Sequence, residues 1–85
     1  MTETILCVDA DPTILDAYQR QLRKQFRIET ALGGERGLAA VAERGPFAVV
    51  VSDLRMPDMD GIRFLGKVRD LAPDTVRMML TGNAD

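Results

Sequence analysis

A run of five residues without a polar side chain, from Phe47 to Val51, constrains the fold more than any other feature of this sequence. A strand that is apolar on both faces is typical of a parallel sheet with helices on both sides. The run ends on Ser52-Asp53, and the loop MPDMDG at residues 56–61 follows. Since ligands of open α/β sheets bind beyond the carboxyl ends of the strands, Asp53 is a candidate site residue.

The length and composition indicate one globular domain. The chain has 85 residues, of which 46% are hydrophobic, and its net charge is -2. A domain of this size buries only a small core. The basic residues between Arg20 and Arg27 are interpreted as a solvated helix face, so we expect no direct contact with nucleic acid.

The cysteine and histidine content limits the chemistry and the compartment. The single cysteine, Cys7, lies in an apolar run and is predicted to be a buried thiol, which fits a reducing cytoplasm. The sequence has no histidine, which excludes Ser/His/Asp and Cys/His catalysis and leaves oxygen atoms as the metal ligands. The amino terminus lacks the pattern of a signal peptide, and no apolar run approaches the ~20 residues of a membrane span. We therefore expect a cytoplasmic location and no membrane contact.

Short β-rich runs alternate with segments of helical periodicity in the order βαβαβαβ. Strands are predicted at 4–8, 27–31, 47–52 and 76–80, with a helix in each interval. Asp11-Pro12 is typical of a helix start and Gly45-Pro46 of a helix end. The alternation predicts an α/β fold with a parallel sheet.

Apolar spacing marks two of these helices. The first helix is expected to pack on the sheet through one continuous stripe: Ile14, Leu15, Tyr18, Leu22 and Phe26. The third helix is marked by four apolar residues: Ile62, Leu65, Val68 and Leu71.

Three of the four predicted strands are followed by side-chain oxygens. These residues are Asp9 and Asp11 after the first strand, Asp53 after the third and Thr81 after the fourth. Right-handed crossovers bring these strand ends to one edge of the sheet. Carboxylates that converge there would bind a hard cation such as Mg²⁺ or raise one another's pKa.

For three of the acidic residues, Asp11 among them, a structural role is the simpler interpretation. Asp11 fits a helix N-cap, and Asp58 and Asp60 fit turn positions. Asp53 is different, because capping offers little explanation for a carboxylate directly after an apolar strand.

Three segments in this order, ILCVDADP, VVVSDLRMPDMDG and MMLTGN, resemble the receiver domain of bacterial two-component response regulators. The resemblance covers residues 1–85 and implies a flavodoxin-like three-layer fold. It also implies a signalling module rather than an enzyme, in which Asp53 accepts a phosphoryl group from a sensor histidine kinase. Mg²⁺ would be held by Asp9, Asp53 and the backbone carbonyl of Arg55, with Asp11 as a further candidate ligand. By the same resemblance, Thr81 would hydrogen-bond the phosphoryl oxygen.

One departure from the family pattern concerns the metal. Receivers usually carry two adjacent acidic residues after the first strand, whereas Asp9 is followed here by Ala10 and only then by Asp11. Asp11 substitutes only if the chain has already turned there, because neighbouring strand residues face opposite sides. We therefore expect weakened Mg²⁺ binding and impaired phosphorylation.

A second departure is that the sequence stops at Asp85, before the helix, the lysine-bearing strand and the last helix of a full receiver. The fourth strand would then be an unpaired edge, and exposed edges and apolar patches seek partners. We expect a homodimer or other self-association through this edge, unless the chain is a fragment of a longer protein.

Two other functions stay open at this point. The segment from Asp9 to Thr13 also matches the D-x-D-x-T motif of haloacid-dehalogenase-type phosphohydrolases, with Asp9 as nucleophile and Asp11 as general acid. Those enzymes insert a flap after the first strand, whereas Pro12 opens the helix at once, and the MPDMDG loop would be unexplained. The other alternative is a phosphorylation-independent interaction module on a receiver fold, which Ala10 favours.

Overall fold

Strands and helices alternate along residues 3–80, the part of the chain that the computed structural model describes. The elements in chain order are β1 (Thr4–Asp9), α1 (Pro12–Leu22), β2 (Arg27–Leu32), α2 (Gly34–Arg44), β3 (Val49–Asp53), α3 (Gly61–Leu71) and β4 (Val76–Leu80). The predicted βαβαβαβ order is confirmed. β3 begins two residues later than expected, and Asp53 is its last residue.

The four strands form one parallel sheet in the order β2-β1-β3-β4, which confirms the predicted flavodoxin-like α/β fold. Parallel strands have their carboxyl ends at the same edge of the sheet. β1 and β3 pair with Val8 opposite Ser52, so the next residues, Asp9 and Asp53, are neighbours at that edge. On the other side of β3, Asp53 lies opposite Leu80 of β4.

Helices pack on both faces of the sheet. α2 and α3 cover one face over a larger core, whose fully buried members are Leu6, Val8, Val50, Phe64 and Val68. α1 covers the other face over a smaller core of Cys7, Leu15 and Ile28. Since burial of a large apolar side chain contributes about 1.5–3 kcal/mol, the larger core supplies most of the hydrophobic stabilisation.

The predicted packing stripe of α1 is wrong at both ends. Leu15 is buried, and Tyr18 and Leu22 pack against the smaller core, whereas Ile14 and Phe26 are exposed. A helix turns by about 100° per residue, so each step of four residues adds about 40° and carries the ends of the stripe away from the sheet. Phe26 also lies beyond the helix, which ends at Leu22.

Phe64 is the centre of the contact between α3 and its neighbours. Phe64 and Val68 are fully buried, whereas Ile62 and Leu71 are largely exposed. A Cβ atom on Gly37 of α2 would lie 2.7 Å from the Phe64 ring. The two helices therefore approach closely because residue 37 has no side chain.

The face of the sheet on the side of α1 is only partly covered. Val50 and Ser52 of β3 are buried, but Val51, which points to the side of α1, is half-buried. The cover on both faces that the apolar run predicted is therefore incomplete.

The same face continues into an exposed row on β4. Three apolar residues have between 43% and 56% of their surface exposed: Val76, Met78 and Leu80. They share the face of Val51 because Met78 is its partner in the register. Within residues 3–80, β4 pairs with β3 alone, as expected for an edge strand.

Candidate functional site

Asp9 and Asp53 form the centre of the acidic edge of the sheet. They end β1 and β3, adjacent in register and on the same face, the face of Cys7 and Val51. Asp9 is 8% exposed. Burial raises the pKa of the Asp9 carboxyl, the negative charges of Asp53 and Asp11 raise it further, and backbone N–H donors oppose the shift. Two neighbouring carboxylates of this kind favour a bound cation.

Asp11 caps α1, which confirms the structural role predicted for it. Its Oδ1 accepts a hydrogen bond from the backbone N–H of Thr13 at 2.9 Å. Its own backbone N–H donates to Oδ1 of Asp9, also at 2.9 Å. Asp11 therefore orients the Asp9 carboxylate through its main chain, while its side chain is exposed at the helix start.

Ala10 lies in the bend between β1 and α1 and packs against the larger core. Its side chain therefore contributes apolar contact at the position where the family pattern has an acidic residue. Only Ala10 and Asp11 separate β1 from α1. This connection has no room for the flap of a haloacid-dehalogenase-type enzyme.

Arg55 lies in the exposed part of the β3–α3 loop, two residues after Asp53. The base of the loop is closed by a hydrogen bond of 2.7 Å from the backbone N–H of Gly61 to the carbonyl oxygen of Leu54. A Cβ atom on Gly61 would collide with the backbone oxygen of Asp53 and lie 2.7 Å from Sδ of Met79. Gly61 is therefore required for the loop to fold back onto the end of β3.

Thr81, the last of the five predicted site residues, lies outside the described residues. It follows Leu80, the partner of Asp53 in the register.

The contact between Asp58 and the start of α2 is not predicted by the sequence. The sequence predicts a turn residue at this position, but the Asp58 carboxylate accepts hydrogen bonds from the backbone N–H groups of Gly34, Glu35 and Met59. These bonds hold the pKa of Asp58 below its ordinary value. The one indication in the sequence is Gly33. A glycine at the N-cap has no side chain to cap the helix, so α2 needs a cap from elsewhere in the chain.

Asp60 also does more than form a turn. It is the N-cap of α3, and its Oδ1 accepts a hydrogen bond of 2.8 Å from the backbone N–H of Arg63. The Asp58 and Asp60 carboxylates of one loop thus cap two different helices.

Tyr18 and Cys7 lie close to the acidic edge. Burial raises the pKa of the Tyr18 hydroxyl, and the negative charges of Asp9 and Asp53 add to this effect. Burial raises the pKa of the Cys7 thiol to about 11, so the thiol stays protonated. The prediction that Cys7 is a buried thiol is confirmed.

The described donors fit Mg²⁺ better than a cation that needs a full protein cage. Within residues 3–80, no group of three or more histidine, cysteine or acidic side chains is arranged to hold a metal ion. Mg²⁺ in proteins is usually bound by one or two carboxylates and keeps several waters. Asp9 and Asp53 match that requirement.

Between residues 3 and 80, every helix is too short or too polar to cross a membrane.

The sequence matches the response regulator receiver domain family over residues 5–85. The chain belongs to this family. The hydrogenase transcriptional regulatory protein HoxA of Cupriavidus necator is 35% identical over 82 residues, which cover 96% of this chain and 17% of HoxA. The chain therefore spans only a small part of that relative.

Solved receiver structures share the fold. The CheY-like receiver domain protein of Methanospirillum hungatei JF-1 aligns with 100% of this chain and 68% of its own, with a TM-score of 0.92 and 32% identity. The response regulator TrrA of Thermotoga maritima, solved in complex with Mg²⁺ and a beryllium fluoride, covers 98% of this chain and 72% of its own, with a TM-score of 0.89 and 28% identity.

Replacement of Asp9 by Asn tests the electrostatics of the acidic edge. A raised pKa means that the native state holds the proton more tightly than the unfolded chain. Native stability is therefore lost as the pH rises above the ordinary value of 3.8 and through the native pKa. Asn keeps an oxygen that accepts from Asp11. In metal-free buffer we expect Asp9→Asn to be more stable than the native receiver at neutral pH, by a margin that shrinks as the pH falls towards 3.8.

Urea unfolding at a series of pH values measures this margin. Asp16, an exposed carboxylate on α1, gives a control variant, Asp16→Asn. An Asp9→Asn protein that is no more stable than the native one at neutral pH would contradict the prediction.

Proposed function

We propose that this receiver is a phosphoacceptor, and that Asp53 takes a phosphoryl group from the phosphohistidine of a sensor histidine kinase. An Asp53 carboxylate oxygen would attack the phosphorus atom, the phosphorus–nitrogen bond of the donor would break, and an acyl phosphate would form on Asp53. The observation that carries the proposal is the position of Asp53 next to Asp9 at the carboxyl edge of the sheet, one residue beyond the Val8–Ser52 pair. We propose that residues 1–85 act as a signalling module in the cytoplasm rather than as an enzyme.

Asp9, Asp53 and the backbone carbonyl of Arg55 are the proposed ligands of Mg²⁺, with Asp11 as the further candidate. The ion would neutralise charge on the phosphoryl oxygens and on the carboxylates. The Asp9 carboxylate is oriented by the backbone N–H of Asp11. Thr81 is proposed to hydrogen-bond a phosphoryl oxygen.

The small number of acidic side chains at the carboxyl edge of the sheet supports a second candidate function, the phosphorylation-independent interaction module. Ala10 stands in the bend after β1, and the Asp11 side chain caps its own helix. A receiver with a weak metal site still offers its helices as a rigid surface for a partner.

Incubation with acetyl phosphate and Mg²⁺ separates these functions. We expect the native chain to gain the mass of one phosphoryl group. Chelation of Mg²⁺ before the incubation should prevent this gain, because the metal offsets the repulsion between the donor and the carboxylates. Asp53→Asn should gain none. Release of phosphate that requires Asp9 but not Asp53 would instead indicate a phosphohydrolase, and no labelled or released product would favour the interaction module.

Replacement of Ala10 by Asp tests the weakened metal site. The added carboxylate restores the acidic pair of the family pattern. Two opposite unit charges about 4 Å apart attract each other by about 4 kcal/mol at an effective dielectric constant near 20, so a third carboxylate should attract the cation strongly. We expect Mg²⁺ to bind Ala10→Asp at least about tenfold more tightly than the native chain, a difference of about 1.4 kcal/mol. Titration calorimetry measures both affinities, with Ala10→Asn as the uncharged control. Equal affinities for Ala10→Asp and the native chain would show that Ala10 does not limit the site.

We further propose that β4 associates with a second copy of the chain. Support comes from its exposed apolar row, Val76, Met78 and Leu80, next to a strand edge that has no partner within residues 3–80. Light scattering over a range of concentrations should show association that Met78→Lys reduces and that Ile62→Lys, on exposed α3 surface, leaves unchanged. A native chain that stays monomeric at high concentration would contradict the proposal.

A further inference from the structure

Asp58 joins two parts of the fold that are 24 residues apart in sequence. Its Oδ1 accepts hydrogen bonds from the backbone N–H groups of Gly34 at 3.1 Å and Met59 at 3.0 Å. Its Oδ2 accepts one from Glu35 at 2.8 Å. Gly34 and Glu35 are the first two residues of α2. A carboxylate of the β3–α3 loop therefore caps a helix that begins well before it in the chain.

α2 relies on this contact because its own N-cap residue has no side chain. Gly33 occupies the N-cap with a φ of 90°, in the left-handed region that favours glycine, and supplies no side-chain cap. The first four N–H groups of a helix have no partner inside it. Asp58 accepts from two of them and places a negative charge at the positive end of the α2 dipole.

Apolar contacts hold the same loop in place. A Cβ atom on Gly34 would collide with the Met59 side chain, so Met59 lies directly against the start of α2. Met56 is buried in the larger core. The hydrogen bond between Gly61 and Leu54 closes the base of the loop. The loop is therefore held at its base, in the core and on α2.

The turn before α2 is bonded to the acidic edge itself. The backbone N–H of Gly33 donates to the backbone oxygen of Asp9 at 3.0 Å. A continuous set of contacts therefore runs from Asp9 through Gly33 and the start of α2 to Asp58. The loop of Asp58 leads back to Arg55 and Asp53.

We infer that Asp58 is a positioning residue: it anchors the β3–α3 loop on α2, holds the Arg55 backbone carbonyl in place beside Asp53, and makes the start of α2 respond when the site is occupied. The inference rests on the proposed function, because it concerns the same site. Asp58 acts through the loop and through α2.

Asp60 provides the matched control. It is an exposed carboxylate of the same loop, and its capping bond to Arg63 stays within the first turn of α3. Asp58→Ala and Asp60→Ala remove the same side chain and one helix cap each. Only the first removes the bonds to α2.

NMR spectroscopy of the full chain follows the amide resonances of Gly34, Glu35 and Leu54 during addition of Mg²⁺ and then of beryllofluoride, a mimic of the phosphoryl group. In the native chain and in Asp60→Ala, we expect the Gly34 and Glu35 amides to shift with the same midpoint as Leu54. In Asp58→Ala these two amides should no longer follow the titration, and the Mg²⁺ midpoint at Leu54 should rise about tenfold, as for other residues that orient metal ligands.

Two further measurements separate positioning from simple loss of folding. At saturating Mg²⁺, the rate of phosphoryl transfer from acetyl phosphate to Asp58→Ala should recover to near the native rate. Asp58→Asn keeps one acceptor oxygen for Gly34 and Met59 and should show an intermediate Mg²⁺ midpoint. If Asp58→Ala fails to fold, the native and Asp58→Asn titrations decide the question.

Three outcomes would overturn the inference. In the first, the Gly34 and Glu35 amide resonances of the native chain do not shift while that of Leu54 does. In the second, the Mg²⁺ midpoint is equal in the native, Asp58→Asn and Asp58→Ala proteins. Either result leaves the proposed function intact. If no amide of the native chain responds to Mg²⁺ and beryllofluoride, the proposed function fails and the inference fails with it.

Discussion

The parallel pairing of β1 with β3 is the contact on which the candidate site depends. It places Val8 opposite Ser52 and therefore Asp9 beside Asp53, on the same face of the sheet. A shift of one residue in the register would turn one of the two carboxylates to the opposite face. The register is fixed by side chains that are fully buried in the larger core, such as Leu6 and Val50. The geometry of the polar site is thus set by apolar packing on the other side of the strands.

The same packing sustains an electrostatic cost. Burial and the charge of Asp53 both disfavour the ionised form of Asp9. A binding site that is less stable when empty gains stability when its ligand offsets the repulsion, because anything that binds only the native state shifts the folding equilibrium towards it. The acidic edge is therefore suited to a cation, and the free receiver holds its carboxylates ready at some expense of stability.

Local patterns and long-range contacts differ in what the sequence can predict. The strand–helix order and the position of Asp53 followed from apolar runs and turn residues, which act over a few neighbours. The packing of α1 was wrong at Ile14 and Phe26, because a four-residue spacing drifts around a helix. The contact of Asp58 joins the β3–α3 loop to the start of α2, 24 residues away in the sequence. Gly33 indicates that α2 lacks a side-chain cap of its own, but a single sequence does not indicate which distant residue supplies one.

The segment after β1 contributes little acidic side chain to the proposed cation site. Ala10 fills space against the larger core, and the Asp11 carboxylate faces the N–H of Thr13. The backbone N–H of Asp11 orients the Asp9 carboxylate. Two carboxylates and a loop carbonyl, the core of the proposed magnesium site, would be a small ligand set, so the precise position of the carbonyl would matter more than in a site with three acidic side chains. In a receiver with Ala10, correct placement of the β3–α3 loop would therefore carry a larger share of the proposed metal affinity.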